Sequence, residues 1–162
     1  LYAFGAREPQ GPHDVYLTRW PEDAAATGNL TGIEWWQGAA AGWVAAEVGS
    51  GGAVPVLGDG QTELTVHFDS AAAEFVEVQS TGFGAAAITR RRAPTLVGPW
   101  SSPDTLFTPA QSSFPGIMIY QGKAHPWLRG ARLVVTYSTN SFDFSDQLAF
   151  DWLYYPRFVR VR

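Results

Sequence analysis

Three side chains that can accept or donate protons alternate along one short stretch of the chain. Glu63, His67 and Asp69 lie at odd-numbered positions of a run whose even-numbered positions are apolar. This period of two predicts a β-strand with the three side chains on one face. Glu63 is a candidate general acid or nucleophile, or else a strand-end carboxylate that is solvated or paired with an arginine. His67 is a candidate substrate ligand or a structural histidine, and we expect Asp69 to cap the turn that follows.

A second set of candidates lies in the last third of the chain. His125 precedes Pro126, which favours an extended backbone at the histidine. It is a candidate partner for a ligand hydroxyl or a carboxylate, or a histidine satisfied by backbone at a turn. Trp152, Tyr154 and Tyr155 form either an aromatic platform for a sugar ring or an apolar plug over the sheet.

A run of three arginines has two interpretations. Arg90, Arg91 and Arg92 fall on a predicted strand, where alternation sends Arg91 to the face opposite the other two. Structural ion pairs are the favoured interpretation. The alternative is an arginine cluster that binds a carboxylate.

Three aspartates in one loop raise the question of a metal. Asp143, Asp146 and Asp151 supply oxygen ligands at a density that suits Ca²⁺, but the spacing of an EF-hand is missing. A solvated loop is therefore favoured. We expect no cofactor, and Ca²⁺ is the only metal ion that these residues suggest.

Composition excludes several classes of protein. The 162 residues are 46% hydrophobic and 14% aromatic, which argues against disorder, and no Cys is present to form a disulfide or a thiolate site. The formal charge is -4 and no basic run exceeds three residues, so a nucleic-acid partner is not expected. No apolar stretch is long enough to span a bilayer, and no nucleotide or serine-hydrolase motif occurs.

Glycine and proline divide the chain into short apolar runs with almost no helix signal, the pattern of an all-β fold. Four consecutive runs, Glu63–Asp69, Glu74–Ser80, Ala85–Arg92 and Asp104–Thr108, predict one antiparallel four-stranded unit. The other predicted strands are Tyr2–Gly5, Asp14–Trp20, Gly32–Gln37, Ile117–Ala124, Arg132–Thr139 and Pro156–Arg162.

An internal repeat suggests how these strands are arranged. Three short apolar runs end on Arg19, Arg90 and Arg160, roughly 70 residues apart. Four-stranded units repeating in this way predict part of a β-propeller, with approximate blades at 1–59, 60–112 and 113–162 in a single partial domain. A sandwich of the same strands is the alternative.

The first predicted blade lacks its innermost strand and the last lacks its outermost strand, so the chain holds about two and a half blades. So few blades do not close a propeller. We expect the missing blades to come from another chain, a second copy or the rest of a precursor. The chain also begins within a predicted strand and without Met, which suggests a processed or internal portion.

Several segments resemble one group of propellers in order along the chain. They are Glu63–Asp69, Glu74–Val78, Ala93–Ser101 (APTLVGPWS), Lys123–Pro126, Leu133–Asn140 and Tyr154–Val161. Together they resemble the DUF4185-type five-bladed propellers, which are similar to glycoside hydrolases that act on furanose polymers such as arabinan. In the segment Ala93–Ser101, Gly98 and Pro99 would set a bend between two strands.

The resemblance implies a secreted, extracellular or periplasmic, carbohydrate-active protein. The favoured function is a glycoside hydrolase acting on an extracellular polysaccharide, with Glu63 and His125 as catalytic residues in a central funnel. His67, Trp152, Tyr154 and Tyr155 would bind the substrate, and the second catalytic carboxyl group would lie on the missing blades. A non-catalytic glycan-binding propeller and a structural or protein-interaction domain remain the alternatives.

Overall fold

The protein is an all-β assembly of antiparallel sheets with few and short helices. A computed structural model describes residues 1–7, 13–45, 51–82, 86–128, 130 and 132–161. The chain forms two compact units. One comprises Leu1–Thr62 with Thr95–Pro99, and the other comprises Glu63–Pro94 with Trp100–Arg162.

The first unit contains a five-stranded sheet. Its second strand pairs with the first, third and fifth strands, and the fourth strand pairs with the third. Val15 and Leu17 of the second strand are fully buried, as their alternation predicts. The elements are β1 (Tyr2–Arg7), β2 (His13–Arg19), α1 (Glu22–Ala26), β3 (Glu34–Trp36), β4 (Trp43–Ala45) and β5 (Leu57–Gly60).

The second unit contains two sheets in which each strand pairs with the next one along the chain. The four-stranded sheet is β6 (Leu64–Asp69), β7 (Glu74–Thr81), β8 (Ala87–Ala93) and β9 (Asp104–Phe107). A short 3₁₀ helix, Ala110–Ser113, leads to the three-stranded sheet. That sheet is β10 (Ile117–Ala124), β11 (Leu133–Ser141) and β12 (Arg157–Val161), with helix α2 (Phe144–Ala149) between the last two strands.

The core of the second unit contains residues of both sheets. Val76, Val78 and Ile88 from the four-stranded sheet are buried with Ile119 and Val135 from the three-stranded sheet. Apolar surface removed from water at this junction stabilises the two sheets as one body.

Strand β10 approaches the four-stranded sheet closely. A side chain at Gly122 would place its Cβ 2.5 Å from the backbone nitrogen of Ser80, so only glycine fits there. Further along both strands, the backbone N–H of Ala124 donates to Thr65 Oγ1 at 2.9 Å. Because Gln121 contacts Glu63 and Ala124 contacts Thr65, β6 and β10 run in the same direction.

The strand predictions are largely confirmed, and the four-stranded unit predicted between Glu63 and Thr108 is present in the predicted order. Gly98 has a φ of +92°, so the bend predicted there is confirmed. Strands β4 and β5 were not predicted, because they have only three and four residues and β5 contains two glycines. The propeller arrangement and the blade boundaries stay predictions.

Helix α2 corrects the expectation of an irregular loop after Asn140. Asp143 caps this helix, since its side chain accepts a hydrogen bond from the backbone N–H of Ser145. Within the described residues, no helix has the length and apolar character needed to cross a bilayer.

Candidate functional site

Glu63 directly precedes β6, and its side chain is half-buried. Gln121 Nε2 donates a hydrogen bond to Glu63 Oε1 at 2.9 Å. Ser138 Oγ in turn donates to Gln121 Oε1 at 3.1 Å. An amide that is itself held by a neighbouring hydroxyl orients the carboxylate, as functional carboxylates require.

Gln121 reaches Glu63 because the backbone of β10 is irregular at this point. Gln121 has a φ of +56°, which is uncommon for a residue other than glycine. The pairing of β10 with β11 shifts between Tyr120 and Lys123, which marks a β-bulge. Bulges redirect a side chain out of the regular alternation, and this one turns Gln121 toward Glu63.

The phenol of Tyr120 lies near the Glu63 carboxylate on one side and near the phenol of Tyr154 on the other. Burial raises the pKa of Tyr120, and the nearby Tyr154 and Glu63 raise it further. Tyr154 has a φ of +69°, and its N–H donates to the carbonyl of Thr139 at 2.8 Å. A carboxylate beside a protonated phenol can hold the hydroxyl groups of a sugar by accepting and donating hydrogen bonds.

His67 and His125 lie together at the other end of the same strands. Both line a cavity of about 500 Å³, here named the cationic cavity, whose ionisable lining in the described part of the chain is His67, Asp69, Arg90, Arg92, His125 and Arg132. Burial lowers the pKa of His67, against the opposing effect of Asp69. Nδ1 of His67 is buried and has no hydrogen-bond partner among the described residues.

The two predicted catalytic residues, Glu63 and His125, are therefore separated, because Glu63 contacts β10 at Gln121 and His125 follows the end of that strand. His125 follows Gln121 by four residues, roughly 13 Å along a strand. Its Nε2 shares a hydrogen bond of 2.7 Å with Thr136 Oγ1, and its ring lies 5.0 Å from that of Trp127. Glu63 instead lies with Gln121 and Tyr120, and Tyr120 lies near Tyr154, which was predicted to bind substrate. A catalytic role for His125 stays a prediction.

The arginine run is engaged in ion pairs, as the favoured interpretation predicts. Arg90 lies 2.9 Å from Asp104, and Arg92 lies 3.8 Å from Glu74. Arg91 points to the opposite face, where its guanidinium lies 3.6 Å from Glu77. Arg90 and Arg92 also line the cationic cavity. In the sheet register Arg92 pairs with Val76, which pairs with His67, so the three share one face.

The pair on the opposite face is buried. Glu77 is fully buried, and this burial raises the pKa of its carboxyl to about 7, although Arg91 lowers it in part. Removal from water outweighs the attraction of a cation 3.6 Å away.

The remaining predicted ligands lie in two further places. Trp152 packs against Phe114 and Phe150 with ring centroids 6.0 and 5.8 Å away, and its carbonyl accepts from Arg157. This is the apolar packing that was the alternative to a sugar platform. Tyr155, next to Tyr154, is 66% exposed.

The three aspartates of the last loop are mostly engaged by protein groups. Asp143 caps α2, and the hydrogen bonds from Ser145 lower its pKa. Asp146 accepts from Ser141 Oγ at 2.6 Å. Among the described residues no group of three or more His, Asp or Glu side chains is placed to hold a metal ion.

The sequence reasoning did not identify Tyr120, Gln121 and Ser138. One signal was available, because Gly122 lies inside a predicted strand. Glycine inside a strand marks a bulge or a close backbone approach, and here it marks both. The hydrogen bonds that join these residues to Glu63 depend on how two sheets pack, which periodicity does not show.

Comparison with known proteins agrees with this architecture. The family model described as "Domain of unknown function (DUF4185)" matches residues 1–145 of the chain. The chain belongs to the DUF4185 family. The matched range contains Glu63, Gln121 and the polar lining of the cationic cavity, whereas Trp152, Tyr154 and Tyr155 lie beyond it.

The fold of this DUF4185 chain also occurs in a solved structure. The crystal structure of a "putative hydrolase" from Bacteroides ovatus matches with a TM-score of 0.63 at 18% sequence identity. The match covers 97% of this chain and 43% of that protein, so the DUF4185 chain spans less than half of its length. No curated protein matches.

Proposed function

We propose that this DUF4185 chain is part of a glycoside hydrolase that acts on an extracellular polysaccharide. The observation that carries the proposal is the half-buried carboxylate of Glu63, which accepts a hydrogen bond from Gln121 and lies near the phenol of Tyr120. The name of the Bacteroides ovatus structure with the same fold is consistent with hydrolysis.

Hydrolysis of a glycosidic bond normally requires two carboxyl groups on either side of that bond. Glu63 would supply one of them. It would act as the acid that protonates the leaving oxygen, or as the carboxylate that attacks the sugar or activates water. Gln121 would fix one carboxylate oxygen, so that the other is oriented toward the substrate. The phenols of Tyr120 and Tyr154 would hold sugar hydroxyls beside it.

The second carboxyl group would come from outside the Glu63 cluster, whose described members are an amide, a hydroxyl and two phenols. We propose that the chain forms part of a β-propeller whose remaining blades are supplied by another chain, a second copy or the rest of a precursor. The two sheets of sequentially paired strands, with β6 and β10 running in the same direction, support this arrangement. The 43% coverage of the related structure supports it as well.

The proposed location is extracellular or periplasmic. Polymers of sugars are too large to enter a cell intact, so the enzyme that cleaves them acts outside the cytoplasm. This proposal depends on the substrate class and would fail with it.

The deciding experiment compares Glu63→Gln with the unmodified protein, in its natural full-length form, on a panel of furanose and pyranose polysaccharides. We expect turnover to fall by roughly 10² or more, because the amide neither attacks nor transfers a proton. Glu22→Gln, which changes an exposed carboxylate of α1, is the matched control and should retain activity. Unchanged turnover in Glu63→Gln would remove Glu63 from the site.

A glycan-binding role without hydrolysis is the second candidate. The high exposure of Tyr154 and Tyr155, at 65% and 66%, favours it, because exposed aromatic rings can bind sugars without any chemistry. Binding of a polysaccharide with no released product would identify this function. A funnel that is sealed and apolar, with no affinity for glycans, would indicate a structural role instead.

A further inference from the structure

The cationic cavity carries positive charge in a protein that is acidic as a whole. Among the described residues, its lining includes Arg90, Arg92 and Arg132 but only one carboxylate, Asp69, whereas the formal charge of the chain is -4. Such a local reversal of charge inside a concave surface attracts anions.

Two of the three arginines are available to a ligand. Arg90 is committed to Asp104, since its Nε lies 3.1 and 3.0 Å from the two carboxylate oxygens. Arg92 lies 3.8 Å from Glu74, and both side chains are about two-fifths exposed, so this pair is weak. Arg132 is exposed and forms no ion pair with any carboxylate in the described part of the chain.

The one carboxylate of the lining is already engaged. Asp69 Oδ1 accepts hydrogen bonds from the backbone N–H groups of Ala71 and Ala72, at 2.9 and 3.3 Å. A further cation lies close to the cavity, because a Cβ at Gly130 would lie 2.7 Å from Arg160 Nη1. An entering anion therefore meets the guanidinium groups of Arg92 and Arg132, with Arg160 nearby, against the single carboxylate of Asp69 in the described lining.

The size and the apolar part of the lining suit a sugar better than a bare ion. A volume of about 500 Å³ lies in the range of small-molecule sites. Pro126 and Leu128 line the cavity, and between them Trp127 is 66% exposed. An exposed indole at the margin offers a flat surface against which a sugar ring can stack.

We propose that the cationic cavity binds the carboxylate of an acidic sugar, a uronic acid within a glycan, through the guanidinium groups of Arg92 and Arg132. Arginine matches a planar carboxylate with two parallel hydrogen bonds, which distinguishes an acidic sugar from its neutral counterpart. This binding requires neither Glu63 nor hydrolysis, so it goes beyond the proposed function and can be tested apart from it.

The test measures binding of oligogalacturonate, the matched neutral galacto-oligosaccharide and inorganic sulfate to the full-length protein by calorimetry. We expect the acidic oligosaccharide to bind and the other two to bind at least tenfold more weakly. Arg132→Gln and Arg92→Gln should each weaken binding about tenfold. Lys123→Gln removes one positive charge of the same sheet outside the cavity lining and should change the affinity less than twofold.

Each contrary result is informative. Equal affinity for the acidic and neutral oligosaccharides, or a preference for inorganic sulfate, would overturn the proposal. So would an equal loss in Lys123→Gln, or no binding of oligogalacturonate at all. Thermal unfolding of each variant separates lost binding from lost folding. Glu63→Gln should bind oligogalacturonate unchanged, so failure of the hydrolase proposal is distinguishable from failure of this one.

Discussion

The two ends of the neighbouring strands β6 and β10 hold their polar side chains differently. At the Glu63 end, one carboxylate is oriented by Gln121, which is itself held by Ser138. At the other end, Arg92 and Arg132 line a cavity with weak or no pairing to carboxylates in the described residues. The oriented carboxylate suits catalysis, which requires a geometry that is fixed before the substrate binds. The weakly paired arginines suit the binding of an anionic ligand.

The same packing contact supports both ends. Gly122 lies between Gln121 and the residues that lead to His125, and it brings β10 against the backbone of Gln79 and Ser80. If this contact is lost, the two ends should be disturbed together, although their chemistry differs.

The largest expected effect follows from that contact. Gly122→Val would push a side chain into the backbone of β7 and should lower the free energy of unfolding by at least about 3 kcal/mol. Urea denaturation measures the loss. Gly5→Ala is the control, because a Cβ there has no atom within 4 Å among the described residues. Similar losses in both variants would contradict the role assigned to Gly122.

A smaller effect is expected from the buried pair Glu77–Arg91, which lies midway along β7 on the face opposite the cationic cavity. Since the folded protein raises the pKa of Glu77 to about 7, it binds a proton that the unfolded chain releases near pH 4.5. Its contribution to stability is therefore complete below pH 4.5 and is lost as the pH rises toward 7, by at most about 3 kcal/mol.

The measurement is the free energy of unfolding at pH 5 and pH 8 for the unmodified protein and Glu77→Gln. The lowered pKa of His67 has the opposite effect on stability, a loss as the pH falls. Because His67 is present in both proteins, the difference between them isolates the effect of Glu77. Identical pH dependence in both proteins would show that Glu77 does not titrate in this range.

The smallest predicted effect compares the two ends directly. Gln121→Leu removes the hydrogen bond to Glu63 and should lower the turnover of a cleaved polysaccharide about tenfold, or about 1.4 kcal/mol. His125→Ala tests the predicted catalytic role of His125: a catalytic imidazole requires a loss at least as large, whereas an imidazole held by Thr136 at the other end leaves turnover within about twofold. A larger loss in His125→Ala than in Gln121→Leu would show that the two ends form one catalytic site.

Local patterns in the sequence were sufficient for the strands and for several single contacts. Alternation placed Val15 and Leu17 in the core of the first unit and sent Arg91 to the face opposite Arg90. The turn cap at Asp69 also follows from sequence, because an aspartate that precedes a tight turn can accept nearby backbone N–H groups. These features involve neighbours that are close along the chain or one strand away.

Tertiary structure alone decided which polar residues meet. Glu63 and Gln121 are 58 positions apart, and they touch only because a bulge reverses one side chain and Gly122 permits two sheets to approach. Periodicity assigns a residue to a face of its strand, but it does not show which other sheet that face will contact. For the same reason the sequence revealed Arg90 and Arg92 as a pair on one face, whereas the strand register placed Arg92 on the face of His67 and the packing of two sheets placed His125 beside them.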